Sequence, residues 1–123
     1  MLKLTYCLHR LPSLTREEFQ RYWREEHAPL VMAAAKHLDI ARYIQCHTED
    51  HPLIAASAAA RGIEGDDLHT FDGVAEIWIE ETDEVDHSEE VARHAAILLE
   101  DEGNFIDFTR SRMFATRENV VIE

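Results

Sequence analysis

An α+β fold of ferredoxin-like βαββαβ order is what the chain predicts, and three observations carry the expectation. The stretches LKLTYCLHR at Leu2–Arg10, IARYIQCH at Ile40–His47 and GVAEIWIE at Gly73–Glu80 alternate side-chain character at strand period. Two other stretches place apolar residues at helical spacing, the first of them opening on a capping motif. No linker, low-complexity tract or internal repeat divides the 123 residues, so a single domain is expected to span 1–123.

In chain order, the first strand sets Leu2, Leu4, Tyr6 and Leu8 against Lys3, Thr5, Cys7 and His9. Pro12 and Ser13 then turn the chain. Thr15 with Glu18 three residues on is a capping box, whose hydroxyl and carboxylate satisfy backbone N–H groups that a first helical turn leaves unpaired. Phe19, Tyr22, Trp23 and Glu26/His27 share one stripe, which puts His27 at the inner edge of this helix. Pro29 has no N–H to donate and disfavours helical geometry at Ala28, so the helix is expected to bend or restart just after His27. It continues through VMAAAKHL to His37 or Leu38, where Lys36 and His37 suit the negative end of the dipole.

The second strand points Tyr43, Gln45 and His47 one way and Arg42, Ile44 and Cys46 the other. From Thr48 to Thr70 periodicity fades among His51, Pro52, Gly62, Gly65, Asp66 and Asp67. Apart from a short helix at AASAAA, this is a long excursion expected to close over a cavity mouth or a dimer edge. The third strand sets Ala75, Ile77 and Ile79 against Val74, Glu76, Trp78 and Glu80. The acidic run from Glu80 to Glu90 reads as a solvated loop and helix start, capped by Ser88 or a nearby acidic residue. This second helix carries Val91, Ala95, Leu98 and Leu99 toward the core until Gly103 ends it. Phe105 to Phe108 packs the next turn, and Met113 to Ile122 supplies the last strand, interrupted near Arg117.

A formal charge of -13 argues against nucleic acid and anionic membranes as partners, since polyanions are bound by clustered Lys and Arg. No apolar run approaches the ~20 residues of a membrane-spanning helix. Cys7 and Cys46 are isolated, and Met1 to Arg10 is too short and polar for a secretory leader, so a reduced, cytoplasmic setting is expected.

Two helices cover only one face of a sheet. Leu4, Leu8, Ile44, Ala75, Ile77 and Ile79 are expected beneath them, which leaves Thr5, Cys7, His9, Tyr43, Gln45, His47, Glu76 and Trp78 on the other face. That set is too aromatic for water and too polar for an ordinary core, so a second sheet is expected to cover it and leave a pocket between. A second copy of the chain is the simplest supplier, which predicts a homodimer burying Tyr43 and Trp78. His27, Glu76, His47, Tyr43 and His9 are the candidate catalytic residues, able to move protons near neutral pH and to orient a phenol or enol. Trp78, Trp23, Gln45 and Cys7 are the candidate substrate contacts. A structural alternative gives Glu76 and His47 to cross-strand pairing, Tyr43 and Trp78 to a dimer core, and His27 to a carbonyl freed at the helix break. No cofactor and no metal are expected, because the histidines and Glu76 show none of the tight spacings of structural zinc sites.

Four stretches then carry a resemblance: KLTYCLHRLPSLTREEFQRYWREEHAPLV, RYIQCHT, DGVAEIWIE, and LLEDEGNFIDFTRS with the closing ENVVIE. The chain resembles the EthD-type domain of the dimeric α+β barrel superfamily. That resemblance implies a homodimer whose two sheets face each other around a cavity, in a family tied to ether or polyketide metabolism. It leans toward oxidoreductases, while fungal members are associated with decarboxylation and superfamily cousins include cofactor-free monooxygenases, isomerases and cyclases. Only His27 in HAPL and the AExW pair Glu76 and Trp78 match clearly, and His9 stands where relatives often carry Arg. The expected function is a small-molecule enzyme, a cofactor-free oxidoreductase of monooxygenase type acting on an aromatic, polyketide-like or ether-derived compound. The alternatives are a lyase of the same superfamily and a dimeric module that binds such a compound without turning it over.

Overall fold

The computed structural model describes residues 1–65, 70–82 and 88–123. Asp66 and Asp67 of the long excursion, and 83–87 of the acidic run, lie outside the described residues. Four strands, β1 (Leu2–Leu8), β2 (Ile40–His47), β3 (Gly73–Ile79) and β4 (Arg112–Thr116), form one antiparallel sheet in the order β2-β3-β1-β4. With the helices between them, this is the expected α+β architecture, consistent with the ferredoxin-like order.

Thr15 caps α1 (Arg16–Tyr22): its Oγ1 accepts from the Glu18 N–H at 3.1 Å, and Glu18 Oε1 accepts from the Thr15 N–H at 3.0 Å. The helix restarts just after His27, as Pro29 leads one to expect. It widens into a π-helical turn over Trp23–His27, in which the Ala28 N–H bonds to the Trp23 carbonyl, and restarts as α2 (Ala28–Ala34). Proline cannot reach back to the carbonyl four residues earlier, and the wider turn absorbs the missing bond while keeping Trp23 and His27 on the buried side. α2 ends short of His37, at Ala34, and a turn through Asp39 in the left-handed region (φ 57°) feeds β2.

The excursion holds α3 (Pro52–Ala59), which starts ahead of the AASAAA tract because His51 Nδ1 accepts from the Leu53 N–H at 3.1 Å. No α3 residue is buried. Ser88 caps α4 (Glu89–Glu102), accepting from the Val91 N–H at 3.3 Å. The inward stripe of α4 differs from expectation: His94 is buried and Leu98 lines a cavity, whereas Leu99 is 62% exposed. Val91, His94, Leu98 and Glu102 follow the three-to-four-residue step of one face, and Leu99 falls off it.

Leu8, Phe19, Trp23, Ala75, Phe105 and Ile106 form the buried core between helices and sheet. Gly73 makes this packing possible, since a Cβ there would run into the Trp23 ring and stand 3.0 Å from the Cys46 carbonyl oxygen. β1 and β3 present the expected residues to the helices. β2 is reversed: Arg42 lies opposite Trp78 and Ile44 opposite Glu76, so Ile44 shares the open face while Tyr43, Gln45 and His47 lie beneath the helices. Polar residues are tolerated there because Trp23 supplies hydrogen-bond partners from another element, a fact that alternation along β2 cannot express. β4 ends at Thr116, not Ile122, because Lys3 opposite Thr116 is its last pairing residue on β1.

Candidate functional site

The π-turn aims His27 at the C-terminal end of α4. Its Nδ1 lies 2.8 Å from Asp101 Oδ2, and the Tyr22 hydroxyl donates to Asp101 Oδ1 at 2.6 Å. Asn104 Nδ2 adds donations to that oxygen at 3.3 Å and to the Tyr22 hydroxyl at 3.2 Å. Burial works against the Asp101 carboxylate, but the bonds from Tyr22, His27 and Asn104 outweigh it and hold its pKa below the ordinary value. With Asp101 ionised, Nδ1–H is the donor, and in the neutral ring Nε2 is then the nitrogen that carries the lone pair. A base oriented by a carboxylate is an arrangement able to take a proton.

His27 lines a cavity of about 60 Å³ between sheet and helices, together with Tyr6, Trp23, Tyr43, Leu98 and Glu102. Glu102 follows Asp101 in sequence but has the opposite character. Burial raises its pKa, against a hydrogen bond from the Tyr6 hydroxyl. Burial and the neighbouring Glu102 push the Tyr6 pKa far up in turn. The cavity thus joins a carboxylate-oriented imidazole to a carboxyl that keeps its proton to higher pH, the pairing that separates base from acid.

Behind it, the Trp23 indole N–H donates to the Tyr43 hydroxyl at 2.9 Å, and Gln45 Nε2 donates to the Trp23 carbonyl at 3.0 Å. Gln45 Oε1 then faces His47 Nε2 at 2.9 Å, so that nitrogen carries the hydrogen. His47 Nδ1 is buried without a partner among the described residues, and burial followed by Arg24 lowers the His47 pKa. Its ring packs on Trp23 at 4.6 Å between centroids. Burial raises the Tyr43 pKa.

The expected constellation therefore divides between two faces. His27, Tyr43 and Trp23 meet at the cavity, with His47 and Gln45 behind Trp23. Glu76, Trp78 and Cys7 lie on the open face. Glu76 pairs with Lys3 at 2.7 Å and accepts from the Cys46 thiol at 3.3 Å, and the Lys3 hydrogen bond depresses its pKa. Trp78 is flanked by Lys3 and Arg42, 4.7 and 4.6 Å from its ring. Burial raises the Cys7 thiol pKa, and that of Cys46 with help from Glu76, so neither is an activated thiolate. His9 sits past the end of β1, its Nδ1 2.7 Å from the Arg10 carbonyl, on an open groove of about 1010 Å³ with Arg10, Arg16, Arg110 and Arg112. Those four guanidiniums are engaged by Asp72, Asp50, Asp107 and backbone carbonyls. Asp101, Glu102 and Tyr6 were absent from the sequence-derived set. Asp101 and Glu102 stand in the DEGNFID segment, one helical face from His94 and Leu98, and that was the available signal.

Among the described residues no helix is long and apolar enough to cross a membrane. A solved structure of an ethyl tert-butyl ether D (EthD) family protein from Bacillus halodurans is similar in fold, with a TM-score of 0.57 at 13% identity. The likeness covers 97% of this chain and 100% of that one. No curated protein matches the chain. The family model for the EthD domain matches residues 11–109. That match takes in His27, Asp101 and Glu102 alike, and the chain belongs to the EthD domain family.

Proposed function

We propose that this chain is a small-molecule enzyme, a cofactor-free oxidoreductase of monooxygenase type acting on a phenolic, polyketide-like or ether-derived compound. The observation that carries the reading is the His27–Asp101 dyad, in which His27 lines the cavity wall and Asp101 holds it from behind. His27 Nε2 takes a proton from a phenol or enol, and Asp101 steadies the imidazolium that results. The substrate anion itself reduces molecular oxygen at carbon, His27 returns the proton to give a hydroperoxide, and loss of water leaves one oxygen on the substrate as a carbonyl. Trp23, Tyr43 and Tyr6 hold the substrate ring, with Gln45 and His47 positioning Trp23. Glu76, Trp78, Cys7 and His9 take no step. A cavity of about 60 Å³ holds only a few waters, so substrate entry requires α2 and α4 to part over it. A lyase is the second reading, favoured by Glu102, whose carboxyl could deliver a proton to carbon as decarboxylation or ring closure requires.

The open face supports a homodimer. Phe114 is 49% exposed on that face, which also carries Ile44 and Val74 across the intervening Thr5 and Glu76, and a second sheet covering the face would bury more than ~1,000 Å². Tyr43 is already beneath the helices and takes no part in it, and Trp78, 7% exposed under Lys3 and Arg42, leaves little for a partner to bury. Light scattering should give a dimer at micromolar concentration, and Phe114→Glu should dissociate it. A reduced cytoplasmic setting fits the two free cysteines.

The test incubates the protein in deuterated buffer with electron-rich phenols and β-polyketones, following exchange by NMR, oxygen uptake and carbon dioxide release. Protein-dependent exchange that is lost in His27→Gln is expected, with oxygen uptake marking the oxidoreductase and carbon dioxide the lyase. Tight binding of a probe with exchange no faster than buffer would overturn the enzyme and leave a binding module.

A further inference from the structure

Away from the cavity, three side chains from two elements converge: His37 from the turn after α2, and Glu90 and His94 one helical turn apart on α4. One ligand atom from each lies within 4.8 Å of the others. His37 Nε2 and His94 Nε2 stand 4.0 and 3.8 Å from Glu90 Oε2. The two imidazoles lie face to face, 4.4 Å between centroids and 13° from parallel. We propose that His37, Glu90 and His94 bind a divalent transition metal of the zinc type, which clips the end of α2 to the start of α4.

Two imidazole nitrogens and one carboxylate oxygen are a borderline donor set, suited to Zn²⁺ with a water in the fourth position. Ligand atoms at zinc-bond lengths in a tetrahedron lie about 3.4 Å apart, so the cluster must contract by about half an ångström at the Glu90 contacts and by up to about 1.4 Å at its widest separation. The stacked rings also have to turn out of parallel for their lone pairs to meet, a side-chain rotation that leaves both helices in place. Arg93 is the competitor, its Nη2 2.7 Å from Glu90 Oε2 and 3.5 Å from His94 Nε2. Its side chain is 56% exposed, free to swing into water as a doubly charged ion replaces it. The chain's charge of -13 raises the local concentration of cations. α2 follows directly on His27 and α4 ends at Asp101 and Glu102, so the clip joins, at its far end, the helix pair that carries the dyad.

Untagged full-length protein is titrated with Zn²⁺ by calorimetry and with Co²⁺ by visible absorption. One ion per chain is expected, with tetrahedral Co²⁺ bands and a higher Tm. His37→Ala and Glu90→Gln should each weaken binding at least tenfold while leaving the metal-free Tm nearly unchanged, and Arg93→Ala should tighten it. Absence of binding would overturn the proposal, as would affinities unchanged in both weakening variants, which would assign the ion to other histidines among the chain's eight.

Discussion

The two faces of the sheet hold the same kinds of side chain in opposite states. Under the helices, burial raises the pKa of Glu102, while hydrogen bonds from Tyr22, His27 and Asn104 outweigh burial and hold Asp101 below its ordinary value. On the open face, Lys3 depresses Glu76, while Lys3 and Arg42 occupy the Trp78 ring. The difference lies in who supplies the partner. Open-face groups are paired by neighbours on adjacent strands, whereas beneath the helices His27 and Glu102 line a void, each tied to the scaffold through one neighbouring group.

The sharpest break of this comparison is catalytic. His27→Gln should cost ~100- to ~10,000-fold in kcat/KM, and Asp101→Asn should lower kcat with KM little changed, while Glu76→Gln stays within about twofold. Equal losses in Glu76→Gln and His27→Gln, read by steady-state kinetics, would erase the distinction between faces.

Next in size is packing. Gly73→Ala drives a methyl into the Trp23 ring and should destabilise the fold by roughly 1–3 kcal/mol in urea denaturation, with Trp23 fluorescence altered. An unchanged midpoint would mean that Trp23 does not lie against β3.

The smallest effects are pH signatures of opposite sign. Glu102 holds its proton more tightly folded than unfolded, so its contribution is full below its unfolded pKa and is lost as pH rises through the folded pKa. Glu102→Gln should therefore raise Tm more at pH 8 than at pH 4. Glu76 is depressed, so its contribution is present above its unfolded pKa and lost as pH falls through the folded one. Glu76→Gln should lower Tm by roughly 1–3 °C at pH 7 and by less at pH 3. His47, also depressed, should add a loss of stability as pH falls below about 6.5. Scanning calorimetry of wild type and variants across pH 3 to 8 reads all three, and like signs for the two glutamates would contradict their placement.

Local patterns alone determined much of this protein. Period-two alternation placed β1, β2 and β3, the Thr15–Glu18 box placed the start of α1, and the proline after His27 marked where the helical ladder changes, because each depends on residues within a turn of one another. The inward stripe of the first helix likewise brought Trp23 and His27 to the core. Tertiary structure alone decided which way β2 faces, since Tyr43, Gln45 and His47 are admitted to the interior by Trp23, some twenty residues away in the chain. It also decided that Glu76 is bound by Lys3 rather than shared with a histidine, and that Asp101, 74 positions from His27, is the carboxylate that orients it. A side chain's polarity is written in the sequence, but the partner that makes its burial affordable is set by which elements pack together.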